Sequence, residues 1–444
     1  MISAEPSPQL LPPSSEDLRD AWPVLSSEER IEAFLLLDRG EAQEFFLELD
    51  ADDHVTILLG LPLPERRLWM RLLPPDDAAD LIQRAPTTER EGLLALLDLP
   101  TRQEVTALLA FAEDDAGGLM NPRFARVRPE MRVDEAITYI RKQAPTKLAT
   151  IYYLYVLDSA QHLLGEVSFR ELFAAAPNAT VLDVMRDDVV KVTTTTHQQE
   201  VSRLFAQHGL LALPVVDEEG RMQGVVTVDD IIDVVEEEAT EDIQKFGGME
   251  ALDAPYLSVR LGGMIKKRAG WLAALFLGEM LTATAMGFFQ DEIAKAVVLA
   301  LFVPLIISSG GNSGSQASTL VIRAMALGEV RLRDGWRVVG REVLTGVALG
   351  AVLGAIGITR ILLWQAIGQT YGAHFLLIAI TVGLTLVGVV TFGTIAGSML
   401  PFVLRRLGFD PASASAPFVA TLVDVTGLII YFTVASIVLS GTLL

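Results

Sequence analysis

"LPVVDEEGRMQGVVTVDDIIDVVEEEATEDI" (213–243) changes character halfway along. Its first half belongs to two strand-like runs, "ALPVVDEEG" (212–220), which ends in an acidic turn, and "MQGVVTV" (222–228). Short apolar, β-branched runs bounded by turn residues are the signal of a hairpin. The second half, continued to Gly248, reads as a helix with Asp229, Asp230, Asp233, Glu236, Glu237, Glu238, Glu241 and Asp242 against one Lys245. Asp230, Asp233, Glu237 and Glu241 share one face of it. Like charges so placed cost roughly 0.2–0.5 kcal/mol per pair. Such a rod needs either water around it or positive charge beside it.

Upstream, the same unit occurs once before. "YYLYVLD" (152–158) and "LLGEVSF" (163–169) form the earlier strand pair. Each pair follows a short strand, a Thr/Pro turn and a helix, in "FARVRPEMRVDEAITYIRKQ" (124–143) and "VVKVTTTTHQQEVSRLFAQH" (189–208). The period near 65 residues implies a tandem α/β module, over 116–178 and 179–235. Further upstream, residues 21–115 read as short amphipathic helices. Leucines recur at helical spacing in "RIEAFLLLD", "AQEFFLELD" and "GLLALLDL", and prolines at 62, 64, 74, 75, 86 and 100 punctuate them. This is the pattern of an α-helical superhelix of imperfect repeats. Residues 1–20 are Pro/Ser-rich and expected to be loose, and no basic-then-apolar leader opens the chain.

Downstream, the character is different. The 444 residues are 51% hydrophobic, with a mean hydropathy of +0.40 and a formal charge of −21. From residue 261 onward there are 12 basic and 8 acidic residues, so the net negative charge comes from the first 260. That acidic half would repel phosphates, which excludes nucleic acid as a partner. The absence of cysteine excludes thiolate metal sites and Cys nucleophiles. Five long apolar stretches follow Arg268, near 270–290, 294–326, 340–367, 373–403 and 413–441. A membrane span needs ~20 such residues, so 266–444 reads as a five-helix transmembrane domain. Residues 228–265 are its acidic connecting helix and linker. Lys266, Lys267, Arg268, Arg331, Arg333, Arg337, Arg341, Arg405 and Arg406 lie on one side of these spans. Positive charge stays inside, which puts the N-terminal half in the cytosol and the C-terminus outside a cell (inner) membrane crossed several times.

Within the spans, ionisable residues are rare and therefore informative, because a charge there costs ~2.5–3.5 kcal/mol even on a lenient scale. Asp424 in "ATLVDVTGLIIYF" is the clearest, with Thr421 and Thr426 nearby and Gly427 able to loosen the helix and free carbonyl ligands. The alternative is that it ties two helices together. Glu279 either lines a path or pairs with Arg323. "PLIISSGGNSGSQAST" (304–319) is costly against lipid and suits a water-lined route, with Gly310, Gly311, Asn312 and Gln316 among its small and polar residues. No GxxxxGK[ST] phosphate loop and no catalytic triad occur, so the chain does not read as an enzyme.

Each tandem unit resembles a CBS domain. "GVVTVDDI" matches the ribose-binding turn of that family at Gly224, Thr227 and Asp230, whereas "GEVSFREL" keeps Ser168 but has Glu171 for the usual Asp. The resemblance implies a nucleotide site, ATP at the CBS pair, with Tyr153, Ser168, Arg170 and Thr227 as candidates. The whole chain from about residue 21 resembles the MgtE family of magnesium channels and transporters. The resemblance is carried by "EDDAGGLMNP" (113–122), the 213–243 stretch, "GGNSGSQAST" (310–319), "MLPFVLRRLGFDP" (399–411) and "VATLVDVTGLIIY" (419–431).

It implies a multidomain membrane protein: N-terminal α-helical superhelix, tandem CBS domains, a plug helix and five transmembrane helices, working in the bilayer as a homodimer. Asp424 then matches the pore acid for hydrated Mg²⁺, with Asn312, Gln316, Gly310, Gly311 and Thr421 along the path. Asp230, Asp233, Glu238, Glu241 and Asp242 match acids that bind regulatory Mg²⁺, Glu44, Asp76 and Asp80 match acids facing them, and Asp410 matches a membrane-domain acid that meets the plug. His208 and Gly209 depart from the acids found there in other members. The implied function is Mg²⁺ uptake across the plasma membrane, closed by cytosolic Mg²⁺. A secondary transporter coupled to Na⁺ or H⁺, or a non-conducting metal or nucleotide sensor, are the alternatives.

Overall fold

The computed structural model describes residues 14–143, 148–252, 256, 259–368 and 371–443. The chain forms two compact units, Met1–Glu236 and Glu237–Leu444, and the division falls inside one helix, the acidic helix Val228–Phe246.

The first unit opens with eight α-helices, from Ser15–Ala21 to Leu99–Leu108. Pro62, Pro74 and Pro86 stand at the N-caps of Leu63–Met70, Pro75–Arg84 and Thr87–Leu96, where a missing N–H costs nothing. Phe34, Phe45, Phe46 and Trp69 form the aromatic centre of this region, with ring centroids 5.0–6.4 Å apart. The repeats also carry a polar signature. Arg66 donates to Leu61 O and Leu59 O, both at 2.7 Å, Arg90 to Ala85 O at 2.9 Å, and Arg102 to Leu94 O at 3.0 Å and Ala95 O at 2.8 Å. Each guanidinium thus satisfies open carbonyls at the end of the preceding helix. The loose tail expected over 1–20 is corrected at its end. Ser14 and Asp17 make a capping box that starts the helix Ser15–Ala21; residues 1–13 lie outside the described residues.

Two three-stranded sheets follow. β1 (Arg126–Val127) runs parallel to β2 (Tyr153–Leu157), which pairs antiparallel with β3 (Leu163–Ser168). β4 (Val192–Thr193), β5 (Ala212–Val216) and β6 (Met222–Thr227) repeat that order. The segment entering each copy bonds the last strand of the other. Asn121 exchanges hydrogen bonds of 2.8 and 2.9 Å with Val225, and Arg186 does so with Glu166. Neither copy completes its backbone pairing alone, so the repeat folds as a pair. Gly209 ends the helix Gln198–His208 at φ +61°, a left-handed cap suited to glycine.

The second unit holds five helices long and apolar enough to cross a membrane: Leu261–Phe288, Val297–Ala326, Leu332–Ile367, Phe375–Arg406 and Ala416–Val438. The first starts earlier than its apolar stretch, because the helix runs through Lys266, Lys267 and Arg268. The second and fourth spans touch backbone to backbone. A Cβ on Gly397 would stand 2.0 Å from the Gly314 carbonyl oxygen, and one on Gly393 2.4 Å from that of Gly310. Part of the expected linker, 253–255 and 257–258, lies outside the described residues.

Candidate cation sites

In the first unit, the helix Pro75–Arg84 and the start of the acidic helix bring Asp76, Asp77 and Asp230 together, with carboxylate oxygens all within 4.8 Å of one another. Asp76 accepts from Asn121 Nδ2 at 3.0 Å. Asp230 accepts from the Thr227 N–H at 3.1 Å and from its hydroxyl at 2.6 Å. Burial pushes Asp76, Asp77 and Asp230 up to about 7, and the neighbouring carboxylates add to it. Burial, then Asp76 and Asp77, raise Asp80 well above the usual range. Asp233 is raised by burial, Glu236, Asp229 and Asp50. Four buried or half-buried acids with amide and hydroxyl neighbours suit a hard cation that keeps some of its waters. Asp77 and Asp50 were missed by sequence reasoning. Asp77 sits beside Asp76 in the first helical turn, where both side chains can turn to one partner. Glu44, expected in this group, is exposed on Arg39–Leu47 and outside the cluster.

The far half of the acidic helix, within the second unit, makes a different arrangement. Lys245 Nζ lies 2.7 Å from Asp410 Oδ2 and 2.5 Å from Glu241 Oε1. Asp410 also caps the short turn Pro411–Ser413, accepting from the Ala412 N–H at 2.9 Å. Burial, then Asp410 and Glu238, push Asp242 up to about 6 against the pull of Lys245. Glu238, Glu241, Asp242 and Asp410 are therefore neighbours, with the Lys245 ammonium among them.

In the membrane helices, Ser308, Asn312 and Gln316 form an exposed stripe one turn apart, with Asn312 Nδ2 3.5 Å from Ser308 Oγ. Gly310 and Gly311 stand off that stripe. A Cβ on Gly310 would meet Val389 at 2.5 Å and Val423 at 2.7 Å, and one on Gly311 would meet Ala420 at 3.5 Å. Both are buried, and at Gly310 the helices pack too closely for a side chain. Asp424 is half-buried on the fifth span. The helix runs unbroken through Gly427, so no carbonyls are freed there. The Thr421 hydroxyl donates to Pro417 O at 3.0 Å. Among the described residues no ion pair joins Glu279 to Arg323, which lies in the last turn of the second span; the first span instead packs along the fifth, where a Cβ on Gly278 would stand 2.8 Å from Thr421 Cγ2.

The four nucleotide candidates divide between the two copies of the repeat. Tyr153 and Ser168 are cross-strand partners, with Arg170 exposed next to them. Here Ser168 and Glu171 form a capping box, and Arg186 pairs with Glu171. Thr227 belongs instead to the second copy, at the end of β6, bonded to Asp230 in the acid cluster.

Comparison with known proteins follows the same divisions. Residues 303–434 match the MgtE family, described as divalent cation transporter, residues 14–114 the MgtE intracellular N domain, and residues 181–237 the CBS domain. A magnesium transporter MgtE of Thermus thermophilus is 40% identical over 429 residues, 96% of this chain and 93% of that protein. One of Enterococcus faecalis is 33% identical over 333 residues, 75% and 71% of the two chains. A solved structure of the cytosolic domain of the Mg²⁺ channel MgtE in complex with ATP shares 41% identity, covering 50% of this chain and 90% of that one with a TM-score of 0.46.

Proposed function

This chain belongs to the MgtE family of magnesium transporters, and on that premise we propose that cytosolic Mg²⁺ closes the route it provides. It is a multi-pass membrane protein that transports Mg²⁺ and belongs to a family of transporters, not of enzymes.

The observation that carries the closure reading is the trio Asp76, Asp77 and Asp230. Carboxylates from the helical region and from the acidic helix meet within 4.8 Å, and among the described residues no lysine or arginine pairs with them. Bringing them together is unfavourable until a divalent cation is held between them. Mg²⁺ fits, because it uses few carboxylates and retains waters. Further along the acidic helix, Glu238, Glu241 and Asp242 lie in the second unit with Asp410, and on this reading they form a separate weak site for the same ion. A ligand shifts an equilibrium only through its differential affinity. A swing from 1:99 to 99:1 takes about 5.5 kcal/mol, which several weak sites can share.

The same reading assigns Asp424, with Asn312 and Gln316, to the ion path. It places the basic flanks of the spans and the N-terminal half in the cytosol and the C-terminus outside, and it makes the working unit two copies with a pore between them. ATP is assigned to the first CBS cleft, at Tyr153, Ser168 and Arg170. The test is Mg²⁺ flux in proteoliposomes as internal Mg²⁺ is raised. Wild type closes, whereas Asp76→Asn with Asp230→Asn stays open. Closure in that double variant at the wild-type concentration removes the reading.

A further inference from the structure

The third span, Leu332–Ile367, enters through Arg333, Trp336, Arg337, Gly340, Arg341 and Leu344. These recur every three or four residues and so share one helix face. All six are exposed, Trp336 at 87%, and a Cβ on Gly340 would meet nothing within 4 Å. The other face packs on the fourth span. A Cβ on Gly335 would stand 3.7 Å from the Phe402 ring, and Val338 packs against the cluster of Val321, Met325 and Phe402. That packing brings Arg405 and Arg406, exposed in the last turn of Phe375–Arg406, to the same end. The acids of these two loops do little to neutralise the arginines. Asp334 accepts from the Arg331 N–H at 3.1 Å and lies 3.6 Å from Arg337, Glu342 is half-buried, Asp410 holds Lys245, and Glu329 is exposed. Beyond the arginines the exposed face turns apolar, through Leu344, Val347, Ala348 and Ala351.

We propose that this face of the third span is a binding site for an anionic phospholipid, with the lipid phosphate on Arg337 and Arg341 and an acyl chain along Leu344, Val347, Ala348 and Ala351. A guanidinium matches phosphate oxygens with two parallel hydrogen bonds, and two of them one turn apart can share one headgroup. The indole of Trp336 lies at the headgroup level, where its apolar ring and polar N–H are both accommodated. Arg333, Arg405 and Arg406 add positive charge around the same point, which favours an anionic headgroup over a zwitterionic one. The order along the helix, basic then aromatic then apolar, is the order of phosphate, interface and hydrocarbon in one leaflet. The site requires that the spans lie in a bilayer and is independent of closure by Mg²⁺.

The experiment is native mass spectrometry of the full chain in detergent, titrated with phosphatidylglycerol or with phosphatidylcholine of the same acyl chains. Wild type should retain phosphatidylglycerol about fivefold better or more. Arg337→Gln with Arg341→Gln should lower that retention about threefold or more and leave phosphatidylcholine unchanged. Lys266→Gln with Arg268→Gln, which removes two charges beside the first span, should leave it within about 1.5-fold. Equal losses in the two double variants would mean diffuse attraction by basic flanks and overturn the proposal, as would equal retention of the two lipids by wild type. Inorganic phosphate at millimolar concentration should not displace the lipid; displacement would make this a site for free anions and overturn the proposal too. If the arginine variant elutes as aggregate, thermal melting of wild type decides. Phosphatidylglycerol should raise the melting temperature above that in phosphatidylcholine, and identical melting overturns the proposal.

Discussion

Lys245 and Asp410, 165 residues apart, meet as an ion pair with Nζ 2.7 Å from Oδ2. The same ammonium pairs with Glu241. The acidic helix is therefore tied to the loop before the fifth span by its single cation, whatever other ions are present. Both partners keep about a quarter to a third of their side-chain surface in solvent, 25% and 31%, so screening reduces the pair below a buried one. Lys245→Met should raise the internal Mg²⁺ needed for half-closure roughly threefold to fivefold, equivalent to about 1 kcal/mol. Flux titrations against internal Mg²⁺ measure it, and a downward shift would show that the lysine competes with Mg²⁺ instead of assisting it.

Asp77 should matter as much as Asp76. Both offer oxygens to the same point beside Asp230, so Asp77→Asn should weaken closure by Mg²⁺ by an amount within about threefold of Asp76→Asn. Glu44→Gln, at an exposed position outside the cluster, should leave it near wild type. Parallel flux titrations of the three variants decide this.

The acid cluster also sets a pH dependence. Folded, Asp76, Asp77 and Asp230 titrate near 7 because of burial and each other, against an ordinary value of 3.8. The folded chain then binds more protons than the unfolded one between those values. Its stability without Mg²⁺ is greatest below about pH 4 on this account and falls as pH rises to about 7. Mg²⁺ acts on the deprotonated form, so its stabilising effect should grow over the same window. Thermal melting of the full chain in detergent, with chelator and with millimolar Mg²⁺ from pH 5 to 8, should give two curves that diverge as pH rises. Curves that stay parallel would refute this.

Gly397→Ala should be among the most damaging small substitutions in the membrane domain. The new Cβ would stand 2.0 Å from the Gly314 carbonyl oxygen and 2.7 Å from its carbon. Backbone cannot rotate away as a side chain can. Overpacking of this kind costs typically 1–3 kcal/mol or more. The monodisperse fraction after heating should fall well below that of Gly262→Ala, where a Cβ meets nothing within 4 Å.

In the CBS pair, Tyr153→Ala should reduce ATP binding by about tenfold or more, as expected for loss of a stacking face. Thr227→Val should leave ATP binding unchanged, since Thr227 belongs to the second copy and is bonded to Asp230. Calorimetry with the full chain distinguishes the two, and equal losses would mean that the two copies act as one site.

Much of this protein was legible in one dimension. The five apolar stretches, the helical leucine spacing and the tandem strand–turn–strand–helix unit are local periodicities, and local burial requirements enforce them whatever surrounds them. The family resemblance, carried by contiguous motifs, was legible for the same reason. Asp424 stood out because a carboxylate inside an apolar run has few innocent explanations.

Tertiary structure decided which residues meet. Asp77 joined the cluster and Glu44 did not, because the helix Pro75–Arg84 turns its first two acids to Asp230 while Arg39–Leu47 leaves Glu44 in solvent. Gly310 proved to be a packing position, and the Thr227 hydroxyl was engaged by Asp230 in the acid cluster. Spacing along a helix says which residues share its face, but the partner on the next element is chosen by how whole helices pack. Burial and mutual repulsion, the terms that raise the acids and make a cation useful, exist only once that packing has brought distant carboxylates together.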